Sequence, residues 1–204
     1  MNIKWIFFDV GSTLVDETKA YDHRAREMIA NTNITFQEFD NTRIALAKQG
    51  LDGNSADIKH FRLTKTPWHS EDEVPYSDAQ NILAALVDKG YKLGIIANQN
   101  LGTTERLESW GLCRYFDVIV ASAEIGYSKP DKEIFEKAFE LAGCTAEESL
   151  MVGDRLDNDI IPAKALGMKT VWIKNGLAQF QNIELGNGIA DYQIHSLSEI
   201  LQIL

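Results

Sequence analysis

Strands and helices alternate from about residue 80 onward, and this alternation constrains the fold more than any other feature of the sequence. Apolar runs such as Lys92–Ala97 and Thr170–Ile173 have the length of strands that are covered on both faces. Segments between them, such as Asp78–Lys89, carry apolar residues at helical spacing, and this one is closed by Gly90. The alternation predicts an α/β fold with a doubly wound, Rossmann-like parallel sheet and helices on both of its faces.

The other predicted elements follow the same alternation. The first strand, Ile3–Phe8, opens the chain and leads directly into Asp9 and a Gly-Ser-Thr turn. All the later elements are expected to belong to one sheet and the helices that cover it. In chain order they are the helix Thr103–Trp110, the strand Val118–Ala121, a helix bracketed by Pro130 and Gly143, the strand Leu150–Val152, a helix ending near Gly167, and the strand Tyr192–Ile194.

Residues 16–79 interrupt this alternation. Tyr21–Ala30 and Phe36–Lys48 have helical patterns, and the stretches around Asp52–Asp57 and Pro67–Pro75 are polar and punctuated by turn residues. An α-helical insertion after the first strand is the natural interpretation. We therefore predict a small helical cap over residues 16–79 and an α/β core domain formed by residues 1–15 and 80–204.

Charge and composition exclude several classes of partner. The 204 residues carry a formal net charge of −10, which argues against a nucleic-acid partner because phosphate backbones require clustered Lys and Arg. No signal-peptide pattern opens the sequence, and its apolar runs are far shorter than the roughly 20 residues that span a bilayer, so no membrane partner is expected. Cys113 and Cys144 do not suggest a disulfide framework. We expect a cytoplasmic protein with reduced thiols.

Polar side chains follow three of the predicted strands, where open α/β sheets bind their ligands. Carboxylates without His or Cys ligands form an oxygen-rich site that suits Mg²⁺ better than zinc or copper. A nearby lysine would offset the remaining negative charge and bind a phosphate as a point charge. The residues concerned are Asp9 after the first strand, Asn98 and Asn100 after the second, Asp154 and Asp159 after the fourth, and Lys129 before a helix.

Three segments resemble, in the right order, motifs of the haloacid dehalogenase superfamily. Phe8–Leu14 is similar to the first motif, hhhDxDGT, Ser128–Asp131 resembles the third motif, and Gly153–Asp159 resembles the fourth. The resemblance covers residues 1–15 and 80–204. The inserted segment resembles, by its position only, the small helical cap of many of these enzymes.

The resemblance implies a Mg²⁺-dependent hydrolase, most simply a phosphatase acting on a small phosphorylated metabolite. Asp9 would be the nucleophile and would form an aspartyl-phosphate. The Asp9 carboxylate, the Gly11 carbonyl and the Asp154 carboxylate would hold the metal, and Asp159 would orient Asp154 or a metal-bound water. Lys129 would hold the nucleophile and the transferring phosphoryl group.

Two positions depart from the family's motifs. Gly11 replaces a second aspartate that normally protonates the leaving group and later activates water, a contribution of about 10² to 10⁴ in rate. Ala97 replaces a Ser or Thr whose hydroxyl binds phosphate, so that Asn98 or Asn100 becomes the candidate donor to the phosphate.

Several interpretations of these departures stay open. Another acid, from the cap or from the substrate, replaces the aspartate; or a good leaving group makes it unnecessary; or the protein binds metal, phosphate or another protein with little turnover. Dehalogenases and phosphonate hydrolases of the superfamily also lack this aspartate, and the phosphonate enzymes use a cap lysine, for which Lys48, Lys59 and Lys65 are available. The retained Asp154 and Asp159 favour the phosphatase, because dehalogenases do not need the metal site.

The remaining titratable residues are given no role in the chemistry. Asp16 and Glu17 are assigned to the cap hinge. The four histidines, whose spacing is not that of metal ligands, are expected on the surface or in packing: His23, His60, His69 and His195. A carboxylate or histidine of the cap close to Asp9 would separate an active phosphatase from a silent member.

Overall fold

The computed structural model describes residues 2–181 and 188–204 of the chain. Eight strands and nine α-helices are defined there, connected by short turns and 3-10 segments. The strands are β1 (Trp5–Phe8), β2 (Val15–Asp16), β3 (Val74–Pro75), β4 (Lys92–Ala97), β5 (Val118–Ala121), β6 (Ser149–Gly153), β7 (Lys169–Ile173) and β8 (Tyr192–Ile194). The helices are α1 (Thr18–Ile29), α2 (Phe36–Lys48), α3 (Gly53–His60), α4 (Ala79–Asp88), α5 (Thr103–Ser109), α6 (Ser122–Ile125), α7 (Lys132–Ala142), α8 (Ile161–Ala165) and α9 (Ile200–Ile203).

Six of the strands form one parallel sheet in the order β5-β4-β1-β6-β7-β8. β1 is central, and its last residue, Phe8, pairs with Ile95 of β4 and Val152 of β6. The backbone N–H of Asp9 continues this pairing by donating to the Val152 carbonyl at 2.9 Å. Because parallel strands end at the same edge, the segments that follow β1, β4 and β6 lie side by side.

Both faces of the sheet are covered, as the near-continuous apolar strands predicted. Successive side chains of β1 point to opposite faces: Ile6 and Phe8 belong to one hydrophobic cluster, and Trp5 and Phe7 to another. The first cluster includes the apolar side of α4, and the second includes that of α7. The doubly wound α/β fold is thereby confirmed.

Most predicted elements are present within a few residues of their expected bounds, and α2 has the predicted bounds. The stretch around Asp52–Asp57, which is polar and punctuated in the sequence, contains most of α3. The start of this helix is capped by Asp52, whose carboxylate accepts a hydrogen bond from the Asn54 N–H at 3.2 Å. The helix predicted to end near Gly167 is α8, and a π-helical turn, Leu156–Ile160, precedes it.

The inserted segment leaves and rejoins the core at one place. β2 and β3 form an antiparallel pair in which Val15 faces Pro75 and Asp16 faces Val74. The helices α1, α2 and α3 lie between these two strands in the sequence. They have a hydrophobic cluster of their own, formed by Ala25, Ile29 and Phe39 with partly buried neighbours. These contacts support the proposed division into a cap at 16–79 and a core at 1–15 and 80–204, of which residues 182–187 lie outside the described part.

In the part of the chain that the structure describes, none of the helices combines the length and the apolar character needed to cross a membrane.

Candidate active site

A buried lysine joins two of the carboxylates predicted for the site. The ammonium of Lys129 donates to Asp9 Oδ1 at 2.7 Å and to Asp159 Oδ1 at 2.5 Å, and only 1% of the lysine side chain is exposed. Burial disfavours the charged ammonium, but Asp159 and Asp9 outweigh it and raise the pKa of Lys129 above its ordinary value. Lys129 therefore stays a cation and holds the carboxylate of Asp9 in place.

Asn98 fixes the backbone of this lysine. Its side-chain N–H donates to the Lys129 carbonyl at 2.8 Å, and its Oδ1 accepts from the Lys129 N–H at 2.7 Å. The amide thus ties the end of β4 to the segment before α7. Asn100 lies further out, is exposed and lines an adjoining cavity. The role of both residues as phosphate donors remains a prediction, and the contacts of Asn98 point to positioning Lys129.

Both oxygens of Asp159 are engaged. Oδ1 accepts from Lys129, and Oδ2 accepts from the backbone N–H of Arg155 at 2.9 Å. Gly153 at the end of β6 makes this approach possible, because a Cβ at that position would collide with the Asp159 carboxylate. The arrangement favours an orienting role for Asp159 over direct coordination of a metal.

Three carboxylates of the site lie close enough to share a cation. Asp9, Asp154 and Asp159 each offer one oxygen, and these atoms lie within 4.8 Å of one another. The donor set is all oxygen, which suits Mg²⁺. Burial, together with the negative charges of Asp159 and Asp9, raises the pKa of Asp154 well above its ordinary value. Such a crowded site fits a divalent cation. The ligand role of the Gly11 carbonyl remains a prediction.

Glu17, which the sequence analysis assigned to the hinge, lies in the same cavity as Asp9 and Gly11. It is 9% exposed, and the Ser12 hydroxyl donates to its Oε2 at 3.4 Å. Burial raises the pKa of Glu17 to about 8, with the charges of Asp9 and Glu73 adding to the shift. Sequence spacing carries no signal for this position. The only sequence indication is the missing side chain at Gly11, which leaves the space that Glu17 fills.

Residues of the inserted segment close the cavity on its outer side. Tyr21, Asp52 and Asn54 line it from that segment, and Arg155 lines it from the core. Arg155 Nη1 donates to Asp52 Oδ2 at 2.9 Å, so an ion pair joins the two parts above the site. A second, polar cavity adjoins the first, and its wall includes Lys65 but neither Lys48 nor Lys59.

Away from this site, the structure brings together two histidines for which the sequence suggested no metal-binding spacing. The rings of His23 and His69 stack with their centroids 3.7 Å apart, and His69 Nε2 lies 2.9 Å from Glu27 Oε2. One atom each of His23, Glu27 and His69 lie within 4.8 Å of one another. The rings stack nearly parallel, at 11°, so that in-plane nitrogen lone pairs do not converge on one point.

Comparison with known proteins agrees with the fold. The family of haloacid dehalogenase-like hydrolases matches this chain over residues 6–173. A glyceraldehyde 3-phosphate phosphatase of Methanocaldococcus jannaschii is 33% identical over 227 residues, covering 99% of this chain and 97% of the relative. The pyrophosphatase PpaX of Listeria monocytogenes is 28% identical over 226 residues, covering 99% and 96%.

Among solved structures, a HAD phosphatase from Thermococcus onnurineus superposes with a TM-score of 0.68 at 27% identity, covering 98% of this chain and 97% of the other. A predicted phosphoglycolate phosphatase from Haemophilus somnus superposes with a TM-score of 0.73, and at 20% identity it shows the fold alone. The family match spans most of the chain and includes Asp9, Lys129, Asp154 and Asp159. The chain therefore belongs to the haloacid dehalogenase-like hydrolases.

Proposed function

We propose that this hydrolase is a Mg²⁺-dependent phosphatase that cleaves a small phosphorylated molecule through an aspartyl-phosphate at Asp9. The observation that carries the proposal is the Asp9–Lys129–Asp159 network beside Asp154, at the edge where β1 and β6 end. It combines a nucleophile, a fixed positive charge and a group of oxygen ligands within one cavity.

Each residue has a distinct task in this proposal. Asp9 attacks phosphorus with one carboxylate oxygen while Lys129 holds the other and offsets the charge of the phosphoryl group. Asp9 and Asp154 would hold the Mg²⁺, which would neutralise phosphate charge. Asp159 keeps Lys129 in position through the 2.5 Å contact between Oδ1 and Nζ.

The relatives support a small substrate. The proteins from M. jannaschii and L. monocytogenes bear the names of enzymes that act on glyceraldehyde 3-phosphate and on pyrophosphate, both compact phosphorylated molecules. Tyr21, Asp52 and Arg155 line the cavity that contains Asp9, and a small substrate can contact all three there.

The alternative of a silent binding protein is less well supported. It would be favoured if the cap offered no carboxylate or histidine close to Asp9, but Glu17 lines the Asp9 cavity. A phosphonate hydrolase would need a cap lysine at the phosphoryl position, but Lys48, Lys59 and Lys65 do not line the cavity that contains Asp9, and Lys65 lines the adjoining one. A dehalogenase would not need Asp154 and Asp159 as part of a metal site beside Asp9.

The test is steady-state hydrolysis of p-nitrophenyl phosphate and of a panel of sugar and triose phosphates, with Mg²⁺ or with EDTA. We expect turnover that requires Mg²⁺ and that disappears in Asp9→Asn, since the amide is a poor nucleophile. Asp88→Asn, an exposed carboxylate at the end of α4, is the matched control and should retain full activity. Mg²⁺ should also raise the melting temperature of the wild type.

The proposal would be overturned if the wild type turned over none of the substrates, or if Asp9→Asn were as active as the wild type. A melting temperature that rises with Mg²⁺ in the absence of any turnover would instead indicate the silent metal-binding protein.

A further inference from the structure

We propose that Glu17 is the acid–base residue of this enzyme, and that its carboxyl group takes the place of a side chain that Gly11 lacks. The inference rests on the proposed phosphatase function. The inference assigns the proton transfers, which Asp9 and Lys129 do not provide, to a residue at the start of the inserted segment.

The space around Gly11 is the first argument. A Cβ built on Gly11 would lie 2.5 Å from Glu17 Oε2 and 2.6 Å from Glu17 Cδ, far inside van der Waals contact. No side chain at residue 11 is compatible with Glu17 in this position. The Glu17 carboxyl group thus occupies the volume that a short acidic side chain on residue 11 would fill. Residue 11 lies two residues after the nucleophile Asp9 in the sequence.

The second argument is that the Glu17 side chain is buried and contacts the loop that follows Asp9. Glu17 lies between β2 and α1, and its side chain does not cap that helix but is buried. The Ser12 hydroxyl contacts it at 3.4 Å, and Ser12 adopts a left-handed backbone with φ of 52°. Such a backbone is uncommon for a residue with a side chain, so the loop after Asp9 holds an unfavourable conformation where it meets Glu17.

The third argument is that Lys129, and the buried or half-buried carboxyl groups beside Asp9 other than Glu17, already have a partner or a proposed role. Lys129 donates to Asp9 and Asp159, and Asp159 accepts from Lys129 and Arg155. Asp154 belongs to the carboxylate group proposed to hold the cation. Of the carboxyl groups that the structure describes in the lining of this cavity, Glu17 is the buried one without a salt bridge to a lysine or arginine.

The proton transfers balance in two steps. In the first, an Asp9 oxygen forms a bond to phosphorus, the bond between phosphorus and the leaving oxygen breaks, and that oxygen takes the proton of the Glu17 carboxyl. In the second, water attacks the aspartyl-phosphate while the Glu17 carboxylate accepts a water proton. The bond between phosphorus and Asp9 breaks, phosphate leaves, and both carboxyl groups return to their starting states.

The experiment compares leaving groups in Glu17→Gln, in which the shape is kept and the acid is lost. The leaving group of p-nitrophenyl phosphate needs no proton. With this substrate we expect a rapid burst of about one nitrophenolate per enzyme, and the rate of the burst should lie within roughly tenfold of that of the wild type. Turnover after the burst should fall about 10²- to 10⁴-fold, and acid-quenched enzyme should carry phosphate on Asp9. With an alkyl phosphate such as glycerol phosphate, the burst itself should fall by that factor.

Two further variants keep the test decisive. Asp16→Asn changes the neighbouring carboxylate, which accepts a backbone hydrogen bond from Thr18, and should leave the burst and the turnover unchanged. The exchange variant Gly11→Asp with Glu17→Gly moves the carboxyl group to residue 11. It should turn over the alkyl phosphate at least tenfold faster than Glu17→Gln does. Gly11→Asp alone should be inactive, because its side chain collides with Glu17.

The outcomes separate the two proposals. Full alkyl-phosphate turnover in Glu17→Gln, or equal losses in the burst for aryl and alkyl phosphates, would overturn the role of Glu17 while leaving Asp9 as nucleophile. Absence of turnover in the wild type would instead overturn the phosphatase function itself. If Glu17→Gln does not fold, the exchange variant still decides, because its activity depends on the carboxyl group and not on residue 17.

Discussion

Lys129 is the side chain on which the buried charges of the site depend. Its ammonium lies between Asp9 and Asp159, and the side chains of Lys129 and Asp159 are both almost fully buried. Removing one member of a buried ionic group leaves its partners charged in an environment that solvates them poorly. The lysine therefore contributes to folding as well as to the proposed chemistry.

We expect Lys129→Met to lower the free energy of unfolding at neutral pH by about 3 to 5 kcal/mol, because it leaves two carboxylates unpaired. Urea denaturation in EDTA measures the effect without metal. Lys132→Met, a lysine whose side chain is 62% exposed, should change the value by less than about 0.5 kcal/mol. Equal stabilities of the two variants would contradict the role assigned to the buried ammonium.

The site residues that the sequence made predictable are those whose chemistry follows from a strand end. Asp9 and Asp154 could be proposed because carboxylates there fit an oxygen-rich metal site, and the structure places both in one cavity. Glu17 could not be identified in this way, since its task depends on empty space beside Gly11 that exists only in three dimensions. Asn98 shows the same limit, because its contacts with the Lys129 backbone cross the chain at a distance that no motif encodes.

At the scale of elements, α7 shows how a helix of the core is anchored. Ile134, Phe135 and Ala138 are fully buried on one side and belong to the hydrophobic cluster under β1 and β4. The helix ends at Gly143, whose φ of 62° suits glycine better than other residues. Lys129 lies just before this helix, so the packing of α7 also positions the site.

Phe135→Ala should lower the free energy of unfolding by about 3 to 5 kcal/mol, since it opens a cavity in a fully buried part of the core. Leu141→Ala is the matched control on the same helix, where the side chain is 52% exposed, and its effect should stay below about 1 kcal/mol. Chemical denaturation of both variants gives the comparison. A loss in Leu141→Ala as large as that in Phe135→Ala would contradict the assignment of the buried face.

Elements with a strong apolar period were predictable, and polar ones were not. α2 has its predicted bounds because Thr35 caps its start and the apolar positions recur at helical spacing. α3 was missed because Gly53, Asn54 and Ser55 open it with residues of low helix propensity. The helix packs closely against α2, since a Cβ at Gly53 would lie 2.5 Å from the Arg43 carbonyl.

At the scale of the whole molecule, a buried carboxyl group in α3 links stability to pH. Burial raises the pKa of Asp57 from 3.8 to about 6 in the folded chain. The folded state then keeps its proton to a higher pH than the unfolded state does. This contribution to stability is complete below about pH 4 and is lost as the pH rises through about 6.

Asp57→Asn removes this titration while keeping an oxygen that can accept from the Ile58 N–H. We expect the variant to be more stable than the wild type at pH 7.5, by about 1 to 3 kcal/mol, and equally stable near pH 4. Denaturation curves at several pH values test this. A difference between the two proteins that does not change with pH would contradict the raised pKa.

The antiparallel pair of β2 and β3 has a consequence for how such a protein can change over evolution. Because the chain leaves at Val15–Asp16 and returns at Val74–Pro75, the ends of the inserted segment are neighbours, and its length can vary at small entropic cost to the sheet. Substrate preference can thus diverge by replacement of α1 to α3 as a module. Glu17 lies at the start of that module, directly before α1. Because Glu17 and a side chain at residue 11 would compete for the same volume, we expect the residues at these two positions to change together.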